Sequence, residues 1–328
     1  MKYSVIIPVY NRPQEVRELL DSLTNQSQKN FEVILVEDGS TEKCDDLLNS
    51  SPLDIKYYYK SNGGPADARN YGMSKASGDF MIFFDSDCVI PSGYFEALDQ
   101  GIDSQGLDAF GGPDMAHSDF TDIQKAINYS MTSFFTTGGI RGASEKLEKF
   151  HPRSFNMGYS RAVYEATGGF SNIRFGEDID MSIRIIESGF KTGLIRDAAV
   201  FHKRRTNLSQ FFKQVFNSGI ARINLYKRHP NSLKLVHLAP SVFTLGVLTL
   251  VISSFIIRAE LIYPLLLFSV LILLDSSIRN KSLAVGTLSV LTSFVQLISY
   301  GTGFLISVWR RLVLKQGEFA AYQRTFYK

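Results

Sequence analysis

An uninterrupted apolar run, residues 80–84, leads directly into two carboxylates spaced one residue apart, Asp85 and Asp87. Such a run predicts a central strand of a parallel sheet, because strands covered on both faces are continuously hydrophobic. The carboxylates then lie at the carboxyl end of the strand, the edge where ligands bind in open α/β sheets. Two carboxylates there can hold a divalent cation and, through it, a diphosphate. An acidic turn without a ligand is the alternative.

Strand and helix patterns alternate on both sides of this run. Strands joined through a helix are expected to pair in parallel by right-handed crossovers, which predicts a Rossmann-like α/β half. The first two strands then deliver Pro8, Val9 and Tyr10, together with Asp38, to one edge of the sheet. The further strand-like segments are residues 3–10, 31–36, 55–59 and 108–112, and helix patterns cover residues 16–23 and 66–76.

The absence of several motifs from the sequence argues against some classes of protein. No Gly-x-Gly-x-x-Gly follows the first strand and no Gly-x-x-x-x-Gly-Lys loop occurs, which argues against a dehydrogenase and an ATPase. Two cysteines, Cys44 and Cys88, make neither a disulfide framework nor a zinc site. A net charge of +3 is too small to indicate a nucleic-acid partner.

A second unit contains another pair of acids. Glu177 and Asp178 follow Gly176 at the start of a helix pattern. Acids in a first helical turn also suit the positive end of the helix dipole, so a purely structural explanation stays open. His202 follows a strand-like segment, residues 198–201, where a lone histidine is more often structural than a ligand.

The chain becomes strongly apolar after residue 235. Residues 236–257 are long enough to cross a bilayer core of roughly 30 Å, residues 261–274 are short for a crossing, and residues 283–309 are long but carry many polar side chains. Basic residues between 202 and 234 precede this region, which predicts amphipathic interfacial helices on anionic lipids.

The orientation is less determined. A strand pattern begins directly after Lys2, so we expect the N-terminal part to stay in the cytoplasm, on the inner membrane. A hairpin of the first two apolar segments would return Arg279 and Lys281 to the cytoplasm, as the positive-inside rule requires. A third crossing would place Arg310 and Arg311 outside, so the number of passes stays open.

The motifs form a set in a defined order. The set resembles family 2 glycosyltransferases of the GT-A fold, over about residues 1–230. The resemblance rests on residues 5–11, 36–40, 63–65, 68–72, 84–87, 168–170 and 176–178 and on His202.

The resemblance implies a nucleotide-sugar donor site. It places Pro8, Val9 and Tyr10 around the nucleobase, with the Tyr10 ring as a packing surface. Asp38 would accept a hydrogen bond from the base edge, and a UDP-sugar is favoured because Asp38 and Tyr10 suit a pyrimidine. The implied donor-binding residues are Pro8, Val9, Tyr10, Asp38, Arg69, Asp85, Ser86 and Asp87.

The resemblance also implies a cofactor and a catalytic base. Asp87 and His202, with Asp85, would bind Mn²⁺ or Mg²⁺, of which Mn²⁺ suits an imidazole better. Asp178, with Glu177 and Asp180 as the rival carboxylates, would take the proton from the acceptor hydroxyl during a single inverting displacement. Residues two apart on a regular helix do not share a face, so Asp178 and Asp180 are not expected to enter the site together.

The predicted architecture is a GT-A Rossmann-like mixed sheet with flanking helices, followed by amphipathic and transmembrane helices. We divide it into a catalytic domain, residues 1–205 (nucleotide half 1–115, acceptor half 116–205), interfacial helices 206–235, a transmembrane region 236–309 and a basic tail 310–328.

The predicted function is metal-dependent sugar transfer to a lipid-linked or glycan acceptor at the membrane. A processive polysaccharide synthase is one alternative, although its Gln-x-x-Arg-Trp signature is replaced by residues 214–218, Gln-Val-Phe-Asn-Ser. A nucleotidyltransferase lacks its Gly-rich N-terminal loop. A non-catalytic nucleotide-sugar-binding relative is the remaining alternative.

Overall fold

The structure is a computed structural model that describes residues 1–115, 120–137, 151–173, 175–203 and 206–318. The strands are β1 Tyr3–Val9, β2 Phe31–Asp38, β3 Ile55–Lys60, β4 Phe80–Phe84, β5 Cys88–Val89, β6 Ala109–Gly111, β7 Asp114–Met115, β8 Asn156–Ser160, β9 Thr192–Leu194 and β10 Val200–His202. The α-helices are α1 Pro13–Thr24, α2 Pro65–Lys75, α3 Tyr94–Gln105, α4 Asp122–Thr132, α5 Phe134–Thr137, α6 Arg161–Thr167, α7 Glu177–Glu187, α8 Leu208–Arg228, α9 Ala239–Ile256, α10 Tyr263–Asn280 and α11 Leu283–Val308.

The chain forms two compact units. The first contains the described residues of 1–115 and 151–203, and the second those of 120–137 and 206–318. Helices α4 and α5 therefore group with the C-terminal helices, whereas the sequence analysis assigned them to the acceptor half. The physical reason is an apolar cluster in which Ile127 and Met131 of α4 pack with Phe211 and Val215 of α8.

The first unit is built on a seven-stranded mixed sheet in the order β3-β2-β1-β4-β8-β6-β9. Strand β8 is antiparallel to β4 and β6, and the other neighbours are parallel. The predicted α/β fold with a mixed sheet is confirmed. Because β1 pairs in parallel with both β2 and β4, the carboxyl ends of these three strands share one edge.

Helices cover both faces of this sheet. Alternate residues of β1 point to opposite faces: Val5 and Ile7 pack with α1 and α3, and Ile6 packs with α2 and α7. The apolar stripe predicted for α1 is buried, and so is every residue of the central strand β4. The run of residues 80–84 is continuously apolar because helices cover it on both sides.

A second, three-stranded sheet lies in the same unit, in the order β5-β10-β7. Strands β5 and β10 are antiparallel, and their register sets Cys88 opposite His202. This short pairing brings a residue from the end of the unit next to the turn that follows β4.

The second unit is helical. The interfacial segment predicted at 206–235 forms one long helix, α8, followed by two short 3₁₀ turns. Among the described residues, three apolar helical stretches are long enough to cross a membrane: Leu235–Ile256, Ala259–Asn280 and Leu283–Val313. The second extends well beyond residue 274, where the sequence pattern ended it.

Candidate active site

The end of β2 is fixed by its last residue, Asp38, which is 1% exposed. Its Oδ1 accepts hydrogen bonds from Lys60 Nζ at 2.7 Å and from the Gly63 N–H at 2.9 Å, and its Oδ2 accepts from the Gly64 N–H at 2.7 Å. Gly64 has φ +92°, a conformation that favours glycine, and it caps α2. Asp38 therefore holds the loop that starts α2, in addition to any contact with a nucleobase.

The end of β1 lies beside Asp38 in the sheet. Pro8 and Tyr10 are half-buried and Val9 is buried. The following residue, Asn11, ties this turn to the turn after β2, because its Oδ1 accepts hydrogen bonds from the backbone N–H groups of Thr41 (2.8 Å) and Glu42 (3.1 Å). The two strand ends are thereby held as one surface.

Arg69 joins two parts of the site that are distant in sequence. It is 3% exposed, and its Nη2 donates to Asp85 Oδ1 at 2.7 Å while its Nη1 donates to Glu177 Oε1 at 3.1 Å. The ring of Phe170 lies 5.5 Å from its guanidinium carbon. One buried arginine therefore links the carboxylate after β4 to the first turn of α7.

Asp87 lies between two cationic or potentially cationic groups. Its Oδ2 accepts a hydrogen bond from Arg12 Nη1 at 2.8 Å, and His202 Nε2 lies 3.1 Å from its Oδ1. The His202 ring stacks on Phe155 with 5.0 Å between ring centroids. The pairing of β5 with β10 is what places His202 there.

The donor atoms around Asp87 suit a divalent cation. One ligand atom each from Asp87, Cys88 and His202 lies within 4.8 Å of the others. The carboxylate and the imidazole are suitable ligands for Mn²⁺ or Mg²⁺. Burial raises the pKa of the Cys88 thiol well above its ordinary value, so that it stays protonated and is a poor ligand for a hard ion. Asp87 and His202 therefore fit the implied cofactor as a pair.

The predicted role of Asp85 as a third ligand of this ion stays a prediction, and its present contact is with another residue. Asp85 pairs with Arg69, whereas Asp87 faces His202. The two side chains diverge because the chain leaves β4 after Phe84 and enters β5 at Cys88. Ser86, between them, is buried.

The first turn of α7 carries the predicted base. Asp178 is 6% exposed; its Oδ2 accepts a hydrogen bond from Arg153 Nε at 2.5 Å and its Oδ1 accepts from the Ile179 N–H at 2.8 Å. Asp180 is engaged elsewhere, since its Oδ2 accepts hydrogen bonds from Arg184 Nε (2.9 Å) and Ser171 Oγ (2.6 Å). The three acids of this turn thus have separate surroundings.

The environments of Glu177 and Asp178 drive their pKa values apart. Burial, reinforced by the neighbouring Asp178, raises the pKa of Glu177 to about 7. Burial also acts to raise the pKa of Asp178, but Arg153 and the Ile179 N–H outweigh it and hold that pKa below its ordinary value. Asp178 is therefore ionised near neutral pH, while Glu177 can retain a proton.

Two site residues were missed by the sequence analysis. Arg12 contacts Asp87 across 75 residues of sequence, and Arg153 contacts Asp178 across 25 residues. Arg12 lies in the turn after β1, and this position could have predicted its place in the site. Nothing in the sequence around Arg153 separates it from an ordinary surface arginine.

Comparisons with known proteins identify a family. The family model described as "Glycosyl transferase family 2" matches residues 4–168. An uncharacterized glycosyltransferase of Rickettsia bellii is 29% identical over 259 residues, which is 77% of this chain and 36% of the relative. The minor teichoic acid biosynthesis protein GgaB of Bacillus subtilis is 26% identical over 264 residues, 71% of this chain and 27% of the relative. The chain thus spans 36% of the length of the first relative and 27% of the length of the second.

Solved structures show the same fold. The mannosyltransferase PcManGT from Pyrobaculum calidifontis, in complex with GDP-Man and Mn²⁺, superposes with a TM-score of 0.67 at 16% identity, covering 94% of this chain and 88% of that one. Residues 1–349 of S. aureus TarS in complex with UDP-GlcNAc give a TM-score of 0.50 at 16% identity, covering 97% and 93% of the two chains.

Proposed function

The chain belongs to glycosyl transferase family 2, and from that membership we propose that it transfers a sugar, with inversion, from a nucleotide-sugar donor to an acceptor hydroxyl or phosphate. The observation that carries the proposal is the contact of Arg69 with both Asp85 and Glu177. It joins the carboxylate after β4, where a donor would bind, to the helix that carries the proposed base.

The donor would bind at the shared edge of β1, β2 and β4. Pro8, Val9 and Tyr10 offer the surface for the nucleobase, and Asp38 fixes the loop beside it. Arg69, Asp85 and Ser86 would lie along the ribose and phosphates. A UDP-sugar is favoured by the residues themselves, and the solved neighbours bind GDP-Man in one case and UDP-GlcNAc in the other.

Asp87 and His202 would hold Mn²⁺ or Mg²⁺. When bound, such an ion supplies charge stabilisation to the departing diphosphate. Arg12, which contacts Asp87, would compensate part of the same negative charge. PcManGT was solved in complex with Mn²⁺, an ion for which a carboxylate and an imidazole are both suitable ligands.

Asp178 would serve as the general base. Its lowered pKa keeps it ionised, and its carboxylate would accept the hydrogen bond of the incoming hydroxyl. A hydroxyl becomes more acidic as its oxygen bonds to the anomeric carbon, so the proton can pass to a carboxylate of low pKa late in the step. Glu177 would keep Arg69 in place.

The acceptor is proposed to be lipid-linked and used in cell-surface glycan synthesis, with the first unit on the cytoplasmic face of the membrane. The three apolar helices and the similarity to a teichoic acid biosynthesis protein support this proposal. A processive synthase receives less support because the Gln-x-x-Arg-Trp signature is replaced by residues 214–218.

The test is a panel of nucleotide sugars presented to the detergent-purified protein with Mn²⁺, with Mg²⁺ and with a chelator. We expect metal-dependent binding and slow hydrolysis of one donor. Asp87→Asn should abolish that binding, and Asp103→Asn on the exposed side of α3 is the matched control. Binding without hydrolysis or transfer would favour a non-catalytic relative, and no binding under any condition would exclude a transferase.

A further inference from the structure

The three apolar stretches of the second unit have different surroundings. Within an 18-residue apolar window of each stretch, 11% of the residues are buried for Leu235–Ile256 and for Ala259–Asn280, against 39% for Leu283–Val313. The mean hydropathy is 2.1 for the first two and 1.5 for the third. An apolar helix is either a membrane span or a core helix of a bundle, so the neighbours of each helix decide between the two.

Helix α8 lies along the C-terminal half of α11. A side chain at Gly219 would collide with the Tyr300 carbonyl oxygen, and one at Gly303 with the Phe216 carbonyl oxygen. Ser307 Oγ lies 3.4 Å from the Ile220 carbonyl oxygen. Residues 216 and 220, one turn apart on α8, thus contact residues 303 and 307, one turn apart on α11. The two helices therefore run in the same direction in close contact.

This pairing opposes a bilayer crossing by the C-terminal half of α11. Helix α8 carries four cationic side chains, of which three are exposed and Arg222 is half-buried. Cations are expensive in hydrocarbon and are drawn to the interface. Because the two backbones touch around residues 219 and 303, this half of α11 lies at the same depth as the part of α8 beside it. The cationic side chains are those of Lys213, Arg222, Lys227 and Arg228.

The remaining part of α11 is too short to cross. Residues 283–294 rise about 18 Å at 1.5 Å per residue, against a hydrocarbon core of roughly 30 Å. One face of this part also packs on protein: Thr292 Oγ1 donates to the Ala126 carbonyl of α4 at 2.9 Å, and Ser289 accepts a hydrogen bond from Ser276 Oγ of α10 at 2.7 Å. Helix α11 therefore fits the description of a bundle core helix.

Helices α9 and α10 have the opposite character. Their outward side chains are large and apolar: Val242, Leu248 and Phe255 on α9 are 68%, 56% and 86% exposed, and Leu267 on α10 is 61% exposed. Between the two helices lie only a short turn with Arg258 and Glu260 and one 3₁₀ segment. Such a surface needs lipid, because water would leave it unfavourably solvated.

We propose that α9 and α10 insert into the hydrocarbon as a hairpin and that α11 does not cross the bilayer but lies at the interface with α8. This goes beyond the proposed function, since it concerns which surface meets lipid. It also satisfies the positive-inside rule with a single arrangement, because the cations at the two open ends of the hairpin fall on one side, and Arg258 in the connecting turn, next to Glu260, lies on the other. The cations at the open ends are Lys227, Arg228 and Lys234 before the hairpin and Arg279, Lys281, Arg310, Arg311 and Lys315 after it.

The two ends of α11 provide the test. Leu283 is 70% exposed at the start of the helix and Gln316 is exposed beyond its end. We would make Leu283→Cys and Gln316→Cys separately in the full chain and label each with a membrane-impermeant maleimide, in inside-out and in right-side-out vesicles. The native Cys44 and Cys88 are buried, so the parent chain serves as the unlabelled background.

Labelling of both cysteines in the same vesicle orientation, with loss of labelling in the other, is the expected result. Labelling in opposite orientations would show that α11 crosses, and would overturn the proposal. Labelling after detergent addition confirms that each site is reactive. Ala284→Cys and Gly317→Cys, both at exposed positions, form a second pair that gives the same answer if one of the first variants is poorly produced.

Discussion

Asp87 and Asp178 resemble each other closely and yet are prepared for different chemistry. Each is nearly buried, and each has one oxygen held by an arginine. The second oxygen makes the difference. In Asp87 it faces the imidazole of His202, a group that can share a metal ion, whereas in Asp178 it accepts the N–H of its own helix. The first carboxylate is therefore suited to a cation and the second to a proton.

The largest effect is expected from removing the charge of the proposed base. Asp178→Asn should lower the rate of transfer by about 10²–10⁴-fold while donor affinity changes little, because a positioned base contributes about that much. Steady-state kinetics with a donor titration measure both quantities. Loss of donor binding instead would indicate that Asp178, like Asp87, acts in holding the cation rather than as the base.

Asp180→Asn is the matched control for that experiment. Asp180 lies two residues further along α7 and contacts Arg184 and Ser171. We expect lower stability and a rate close to that of the parent chain. Equal losses of rate from the two variants would show that the helix, rather than the base, had been damaged.

The imidazole should matter through the cation alone. His202→Ala should raise the Mn²⁺ concentration needed for half-maximal activity by at least about tenfold, with a smaller rise for Mg²⁺, because imidazole favours the transition metal. Activity at saturating Mn²⁺ should recover largely. An unchanged metal requirement would make His202 a structural neighbour of Asp87.

Arg153 holds the proposed base, Asp178, in its ionised form. Because Arg153 lowers the pKa of Asp178, Arg153→Gln should let that pKa rise. The acid limb of the pH dependence of kcat/KM, below which the base is protonated, should then move to higher pH. Arg153→Lys should restore most of the original profile, and a limb that stays in place for both variants would contradict the assignment.

The smallest effect concerns Glu177 and stability. Its pKa rises from 4.5 to about 7 in the folded protein, so the folded state binds the proton more tightly than the unfolded state does. The corresponding stabilisation is complete below pH 4.5 and is lost as the pH rises through about 7. Glu177→Gln should remove this pH dependence from the unfolding midpoint in detergent. An unaltered pH dependence would show that Glu177 ionises normally.

Much of the fold and of the site could be predicted from the sequence because the signals are local. The apolar run of residues 80–84 is a strand covered on both faces, and the carboxylates that follow it do lie at the edge of the sheet. Glu177 and Asp178 start a helix, as the pattern after Gly176 indicated. Periodicity and turn chemistry report the conformation of a segment and the face that it buries.

Only the tertiary structure determined which side chains and helices contact each other. The partners Arg12 and Arg153 come from distant segments, and the divergence of Asp85 from Asp87 depends on the pairing of β5 with β10. The same holds for α11, which is long and apolar enough to cross a membrane, as α9 and α10 are, but which packs against α4, α8 and α10. An apolar side chain has the same sequence signature whether it faces lipid or protein, and a charged one whether it is solvated or paired, so only the packed chain distinguishes them.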